Sequence, residues 1–242
     1  MATKKKKKLS YKYQVVNLKE HYSKLYKESV KNIASGKYEI DNLIDSKSDK
    51  RFGITLLARP SNEVKAKIEK LNLELKKVEP NQYYYPKSDI HITIMSIISC
   101  YDGFNIENIE LPKYIELIKK CIPNKNNIKI SFKGLTASNS CIMLQGFMNN
   151  NVLNDIRDNL RFEFKKSELE QSLDKRYSIQ TAHSTIVRFK NHLNEKESFL
   201  KIIDKYADFD FGTFEIKKIE LVYNDWYQKK ELVKKLHEFK IQ

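Results

Sequence analysis

Apolar positions recur along this chain at two spacings, and the places where one gives way to the other mark its elements. Phe52 to Ala58 is short, mostly apolar and closed by Arg59-Pro60, so it reads as a buried strand. Ser61 offers an N-cap for a helix that turns Val64, Ile68, Leu71 and Leu75 inward. After the aromatic run Tyr83-Tyr84-Tyr85-Pro86, a second strand is expected over Ile90 to Ile98. Pro112 opens a helix with Tyr114, Ile115, Leu117 and Ile118 on its inner face. Ile128 to Leu135 and Cys141 to Met148 read as strands joined by a turn around Ser138-Asn139-Ser140. A long helix follows over about Asn151 to Phe164, with Leu153, Ile156 and Leu160 on one face. Thr181 to Phe189 reads as a strand, Glu195 to Tyr206 as a helix and Thr213 to Tyr223 as an alternating strand. From Gln228 to Ile241 the pattern fits either a helix or a closing strand.

Strand, helix, strand, helix, hairpin, helix, strand, helix, strand is the order of an α+β protein with mainly antiparallel sheets. A strand that holds a histidine, followed by a helix and a further strand, occurs twice, which suggests two pseudo-symmetric lobes. Residues 1–50 stand apart as a basic tail followed by a helical extension. That helix is expected over Tyr13 to Ile33 and ends near Gly36, a C′ residue. Residues 51–242 form the main domain of two lobes.

Composition changes this picture only slightly. The chain has 242 residues and a formal charge of +14, of which Lys4 to Lys8 carry five positive charges, and the remainder stays basic. That favours anionic partners such as RNA or nucleotides. The abundance of Lys, Asn and Ile also fits an AT-rich coding bias, and the lysine run fits a solvated tail. Cys100, Cys121 and Cys141 are scattered and form no C-x-x-C, which argues against a disulfide framework and a zinc site and for reduced thiols in the cytoplasm. No apolar stretch approaches the roughly 20 residues that span a bilayer.

The chemistry lies in His91-Ile92-Thr93-Ile94 and His183-Ser184-Thr185-Ile186. With five histidines and seven threonines in the chain, random placement gives roughly 0.14 His-x-Thr matches, so finding two sets these histidines apart. In a strand the side-chain period is two, so His and Thr of each motif face the same way. Two histidines flanking a phosphate can divide the work: one, neutral, takes a proton from the attacking group, and the other, protonated, gives one to the leaving oxygen. The threonine hydroxyls can hold the non-bridging oxygens. The scheme needs no metal and no cofactor. Tyr85, last of the tyrosine run, is a candidate for stacking on a base. Arg188 is a candidate for a phosphate, although strand parity puts it opposite His183 unless the strand bends. Asp89 could orient the first imidazole. His21, His192 and His237 lack the motif and read as structural or surface groups.

Paired H-x-T-hydrophobic motifs in a chain of this size resemble the 2H phosphoesterase superfamily, which includes RNA 2′,3′-cyclic phosphodiesterases, bacterial 2′–5′ RNA ligase-like proteins and the central domain of A-kinase-anchoring proteins. The segment Thr181-Ala182-His183-Ser184-Thr185-Ile186-Val187-Arg188-Phe189 is similar to uncharacterised bacterial members. The resemblance covers roughly residues 51–242. It implies a bilobal fold of two pseudo-two-fold sheets with flanking helices around a central cleft. It also implies metal-independent action on nucleotide phosphodiesters, with His91 and His183 catalytic and Thr93 and Thr185 on the phosphate. Two other readings stand beside it: a nucleotide- or RNA-binding module that keeps the cleft without turnover, and an interaction domain with a basic tail, which leaves the motif pair a coincidence.

Overall fold

A computed structural model describes residues 17–123, 127–175 and 178–241. The lysine run and the start of the expected first helix lie outside these residues. Helix α1 (Leu18–Ala34) is capped by the Asn17 side chain, which accepts from the Glu20 N–H at 3.4 Å, and it stops at Gly36, whose φ of +77° is the left-handed conformation expected there. The chain then runs through β1 (Arg51–Ala58), α2 (Asn62–Val78), β2 (Tyr83–Tyr84), β3 (Ile92–Asp102), α3 (Leu111–Cys121), β4 (Lys129–Ala137), β5 (Cys141–Met148), α4 (Val152–Lys166), β6 (Ser184–Arg188), α5 (Lys196–Lys205), β7 (Asp210–Glu215), β8 (Lys218–Asp225) and β9 (Lys234–Lys240).

The strands make two sheets. One has the order β3-β1-β8-β9, the other β2-β6-β5-β4-β7, and every pairing within them is antiparallel. The expected α+β class with two antiparallel sheets is therefore the observed one. The repeat differs from the expected one: β3–α3–β4 crosses between sheets while β6–α5–β7 stays in one, and the matched units are β1–α2–β3 and β5–α4–β6, in which the His-x-Thr strand comes last and pairs antiparallel with the first. The helix of each unit crosses to the other sheet. α2 packs against β6 and β7, whereas α4 packs against β3 and α3. One continuous core results, drawing on Leu71 and Leu75 of α2, Ile94 of β3, Leu160 of α4 and Phe199 of α5.

Two further expectations are corrected, and two points that the pattern leaves open are decided. The tyrosine run contributes an edge strand, Tyr83–Tyr84, paired to Val187 and Arg188. Both histidines sit just ahead of a strand rather than inside one, because β3 begins at Ile92 and β6 at Ser184. Thr213 to Tyr223 is not one strand: the chain leaves the second sheet after Glu215 and enters the first at Lys218, and the alternation slips by one residue at Lys217-Lys218, where the sheet changes. Of the two possibilities for the C-terminal segment, the strand is realised, as β9 on the edge of the first sheet.

Strand β3 departs from simple alternation. Its register against β1 passes from Ser96 opposite Thr55 to Ile98 opposite Ile54, and from Thr93 opposite Leu57 to Met95 opposite Leu56, each step leaving one extra residue on β3. Each such bulge flips the parity of the residues beyond it. Thr93, Ser96 and Ser99 consequently remain partly open at a spacing of three, and all three face the same cleft.

Candidate active site

The two sheets meet along a cleft of about 570 Å³ whose walls include His91, Thr93, His183, Thr185 and Arg188. All four motif side chains thus share one cavity, from opposite sheets. A shallower hollow on the solvent side of α1, between Lys19, Lys24, Lys27 and Glu28, gathers only solvated charged groups.

The motifs are also joined to each other. Ser184, the middle residue of the second motif, donates its hydroxyl to the His91 carbonyl at 2.7 Å. Behind them lies the fully buried Arg157 of α4. Its Nε donates to the Ile94 carbonyl at 3.0 Å, and Nη2 donates to the carbonyls of Thr93 at 3.2 Å and Thr181 at 2.7 Å. One guanidinium therefore holds backbone from both motif segments, a task suited to its fixed fork of donors. Gly146 of β5 allows the same closeness from the side, since a Cβ there would run into the Ala182 carbonyl.

Each imidazole is oriented through Nδ1. In His91 that atom is 2.7 Å from the Asp89 carbonyl, which can only accept, so Nδ1 carries the proton and Nε2 keeps its lone pair. Asp89 does orient the ring, as its place near His91 in the sequence suggests, but through its main chain. In His183, Nδ1 is 2.6 Å from the Thr181 hydroxyl. That hydroxyl also meets the phenol of Tyr22, whose own proton goes to the Gly146 carbonyl at 3.2 Å. The Thr181 hydroxyl can accept from His183 Nδ1 or donate to it, according to the tautomer of the ring.

Both rings resist protonation. Burial pushes His91 from its ordinary 6.5 down to about 4, with the charges of Arg59 and Arg188 adding to the effect and the Asp89 carbonyl opposing it. Burial likewise pushes His183 down to about 4, reinforced by Arg157, His91 and His21. Each ring still keeps part of its surface open to the cleft, so the depression comes from the enclosing walls and their positive charge. A bound anion would reverse it.

A model of the AKAP7 2′5′ RNA ligase-like domain matches residues 55–231 of the chain. The chain belongs to the 2H phosphoesterase superfamily. Among solved structures of the same fold, protein TT0787 of Thermus thermophilus aligns with a TM-score of 0.57 at 15% identity, over 78% of this chain and 97% of that one. Escherichia coli LigT in complex with 3′-AMP aligns at 0.54 and 11% identity, over 79% and 99%. A conserved protein of unknown function from Agrobacterium tumefaciens, ATU0111, aligns at 0.52 and 10%, over 86% and 97%. At these identities the likeness is one of fold. No curated protein matches the chain by sequence.

Within this 2H fold the remaining sequence candidates take distinct places. Arg188 does reach the cleft: β6 steps from Val187 opposite Ile142 to Thr185 opposite Met143, a bulge at Ile186 that returns Arg188 to the side of Thr185. Its Nε donates to the Tyr85 hydroxyl at 3.1 Å. Tyr85 is itself buried, 5% exposed, so it supports Arg188 and presents no open face for stacking. Trp226, on the turn after β8, lines the cleft with Arg51 above its ring at 4.8 Å; as the only tryptophan, it is the aromatic that sequence reading passes over. His192 and His237 take no part in the cleft wall, and His237 packs edge-on to Phe239. Among the described residues no group of three or more His, Cys, Asp or Glu is placed to hold a metal ion, and no helix is long and apolar enough to cross a membrane.

Proposed function

We propose that this protein is a phosphodiesterase that cleaves cyclic or internucleotide phosphodiesters of RNA or of small nucleotides without a metal, using His91 and His183. The observation that carries this reading is the junction of the motifs: both His-x-Thr pairs line one cleft and are tied by the Ser184 to His91 hydrogen bond and by Arg157. The Nε2 lone pair of one histidine takes a proton from water as its oxygen bonds to phosphorus. The other histidine, protonated, gives its proton to the oxygen whose bond to phosphorus breaks. Substrate orientation decides which ring takes which part. Thr93 and Thr185 donate to the non-bridging oxygens, and Arg188 offsets their charge. Nucleotides are suitable occupants: LigT has been crystallised with 3′-AMP, ATP and NADP+, and Trp226 offers a ring to a base. A cytoplasmic setting fits the three free, buried thiols.

Burial favours the neutral form of both histidines at pH 7 in the free protein. That one fact favours a second reading, a nucleotide-binding module without turnover, because a neutral pair lacks the acid. In the enzyme the substrate phosphate must supply the missing shift. The kcat profile, which reports the occupied site, should therefore lie at higher pH than the kcat/KM profile, which reports the free one; coincident profiles would remove this account of the acid.

The direct test is incubation with EDTA against 2′,3′-cyclic nucleotides, 2′–5′ and 3′–5′ dinucleotides and cyclic dinucleotides. Turnover of at least one by the wild type and by no His91→Ala/His183→Ala protein is expected. Equal products from both would overturn the mechanism, and tight binding without turnover would establish the binding module.

A further inference from the structure

The extension ahead of β1 lies outside the span matched by the family model, yet it reaches the cleft. Leu25 of α1 forms part of the wall. Asp41, beyond Gly36, meets Arg188: its Oδ2 is 3.6 Å from Nη1, and the two side chains are only 17% and 19% exposed. Three further bonds fix this segment. The Asp41 N–H donates to the carbonyl of Phe189, the residue after Arg188, at 2.8 Å, and Asp41 Oδ1 accepts from the Tyr227 hydroxyl at 2.7 Å. Nearby, the Ile44 carbonyl accepts from Lys229 Nζ at 2.5 Å. The segment is thereby fastened both to the end of β6 and to the turn that holds Trp226.

Arg188 is thus held from two sides. Tyr85 takes Nε, Asp41 faces Nη1, and the Tyr227 ring lies 5.7 Å from the guanidinium carbon. A guanidinium gripped at these two edges has its remaining Nη2 donors set in direction, whereas an arginine without the carboxylate would turn about its long side chain.

We propose that Asp41 is a positioning residue, aiming Arg188 at the phosphate of a nucleotide held between His91 and His183, so that the N-terminal extension completes the binding site. The proposal rests on the function proposed above. A purely structural role for Asp41, pinning the extension to the body, predicts lost thermal stability and no change in affinity at temperatures where every variant is folded.

Titration calorimetry with 3′-AMP as probe, well below each variant's Tm, separates the two. Asp41→Ala should weaken binding about threefold, as expected for loss of a partly exposed charge contact. Asp41→Glu should recover part of the loss. Arg188→Ala should weaken binding at least as much, and Asp41→Ala should add nothing in the Arg188→Ala background. On any substrate turned over, Asp41→Ala should raise KM by a larger factor than it lowers kcat. Unaltered affinity in Asp41→Ala, or a loss that persists undiminished without Arg188, would overturn the proposal. If the wild type fails to bind 3′-AMP, the nucleotide reading itself fails. The Arg188 Nε–H resonance in an NMR spectrum then still decides the positioning role: a shifted or broadened signal in Asp41→Ala supports it, and an unmoved one refutes it.

Discussion

His91 is held by a backbone carbonyl two residues before it, while His183 is held by a side chain, Thr181, whose own place depends on Arg157 from α4 and Tyr22 from α1. The first motif carries its support within its own segment. The second borrows support from residues far away in sequence, one of them in the extension. Chemically matched halves of a pseudo-symmetric site can therefore differ in how easily mutation disturbs them.

The largest expected effect ignores this difference. His91→Ala and His183→Ala should each lower turnover by about 10²–10⁴, and the double variant should be little worse than the weaker single. His192→Ala and His237→Ala, measured alongside, should change little. Losses of the same size in these controls would show that folding rather than chemistry is being measured.

Arg157→Met should damage both motifs together. It leaves the buried carbonyls of Thr93, Ile94 and Thr181 without this donor, at about 1–3 kcal/mol for each group left unsatisfied. Urea unfolding should show a midpoint well below that of the wild type, and an unchanged midpoint would mean the guanidinium does not join the lobes.

The comparison itself is tested by Thr181→Val against Asp89→Asn. Valine removes the hydrogen-bond partner of His183 Nδ1 and should reduce kcat about tenfold, the worth of one hydrogen bond. Asparagine keeps the main-chain carbonyl at His91 and should leave kcat within about twofold of wild type. Equal losses in the two variants would erase the distinction.

A separate effect concerns acid stability. Both histidines have folded pKa values near 4 against an ordinary 6.5, so between those values the unfolded chain binds more protons than the folded one. Their contribution is fully present above about pH 6.5 and is lost as pH falls toward about 4. Below that it changes no further. The wild-type Tm should therefore drop more steeply between pH 6.5 and 4 than that of the His91→Ala/His183→Ala protein. Parallel slopes from calorimetry would contradict the depressed values.

Sequence reading reaches the motif residues, most strands and the helices because those depend on local spacing. It misses what depends on contact between segments. Arg157 has a visible signal: with Leu153, Leu160 and Phe164 it shares one face of α4, and an arginine on an apolar stripe calls for buried acceptors. Parity places Arg188 on the wrong side, because the bulge at Ile186 is a property of pairing with β5 and leaves no mark on the pattern of β6. The split between β7 and β8 does leave a mark, the adjacent polar pair Lys217-Lys218 that breaks the alternation, but nothing local says that the partner sheet changes there. Asp41 and Tyr22 stand in a segment whose composition resembles a solvated extension, although Tyr22 is buried.

The crossing of α2 and α4 bears on how the protein comes off the ribosome. Strand β1 lies between β3 and β8, so it lacks its second neighbour until residues 218–225 have been synthesised, and the sheet is complete only with β9. The sheet holding His183 waits for β7, and its covering helix α2 has been made long before. A chain assembled this way cannot mature lobe by lobe in the manner of separate domains. The edge of β1 that faces β8 must remain unpaired while the rest is translated, an exposure during which chaperones would be needed most. A prematurely ended product would hold neither half of a working cleft.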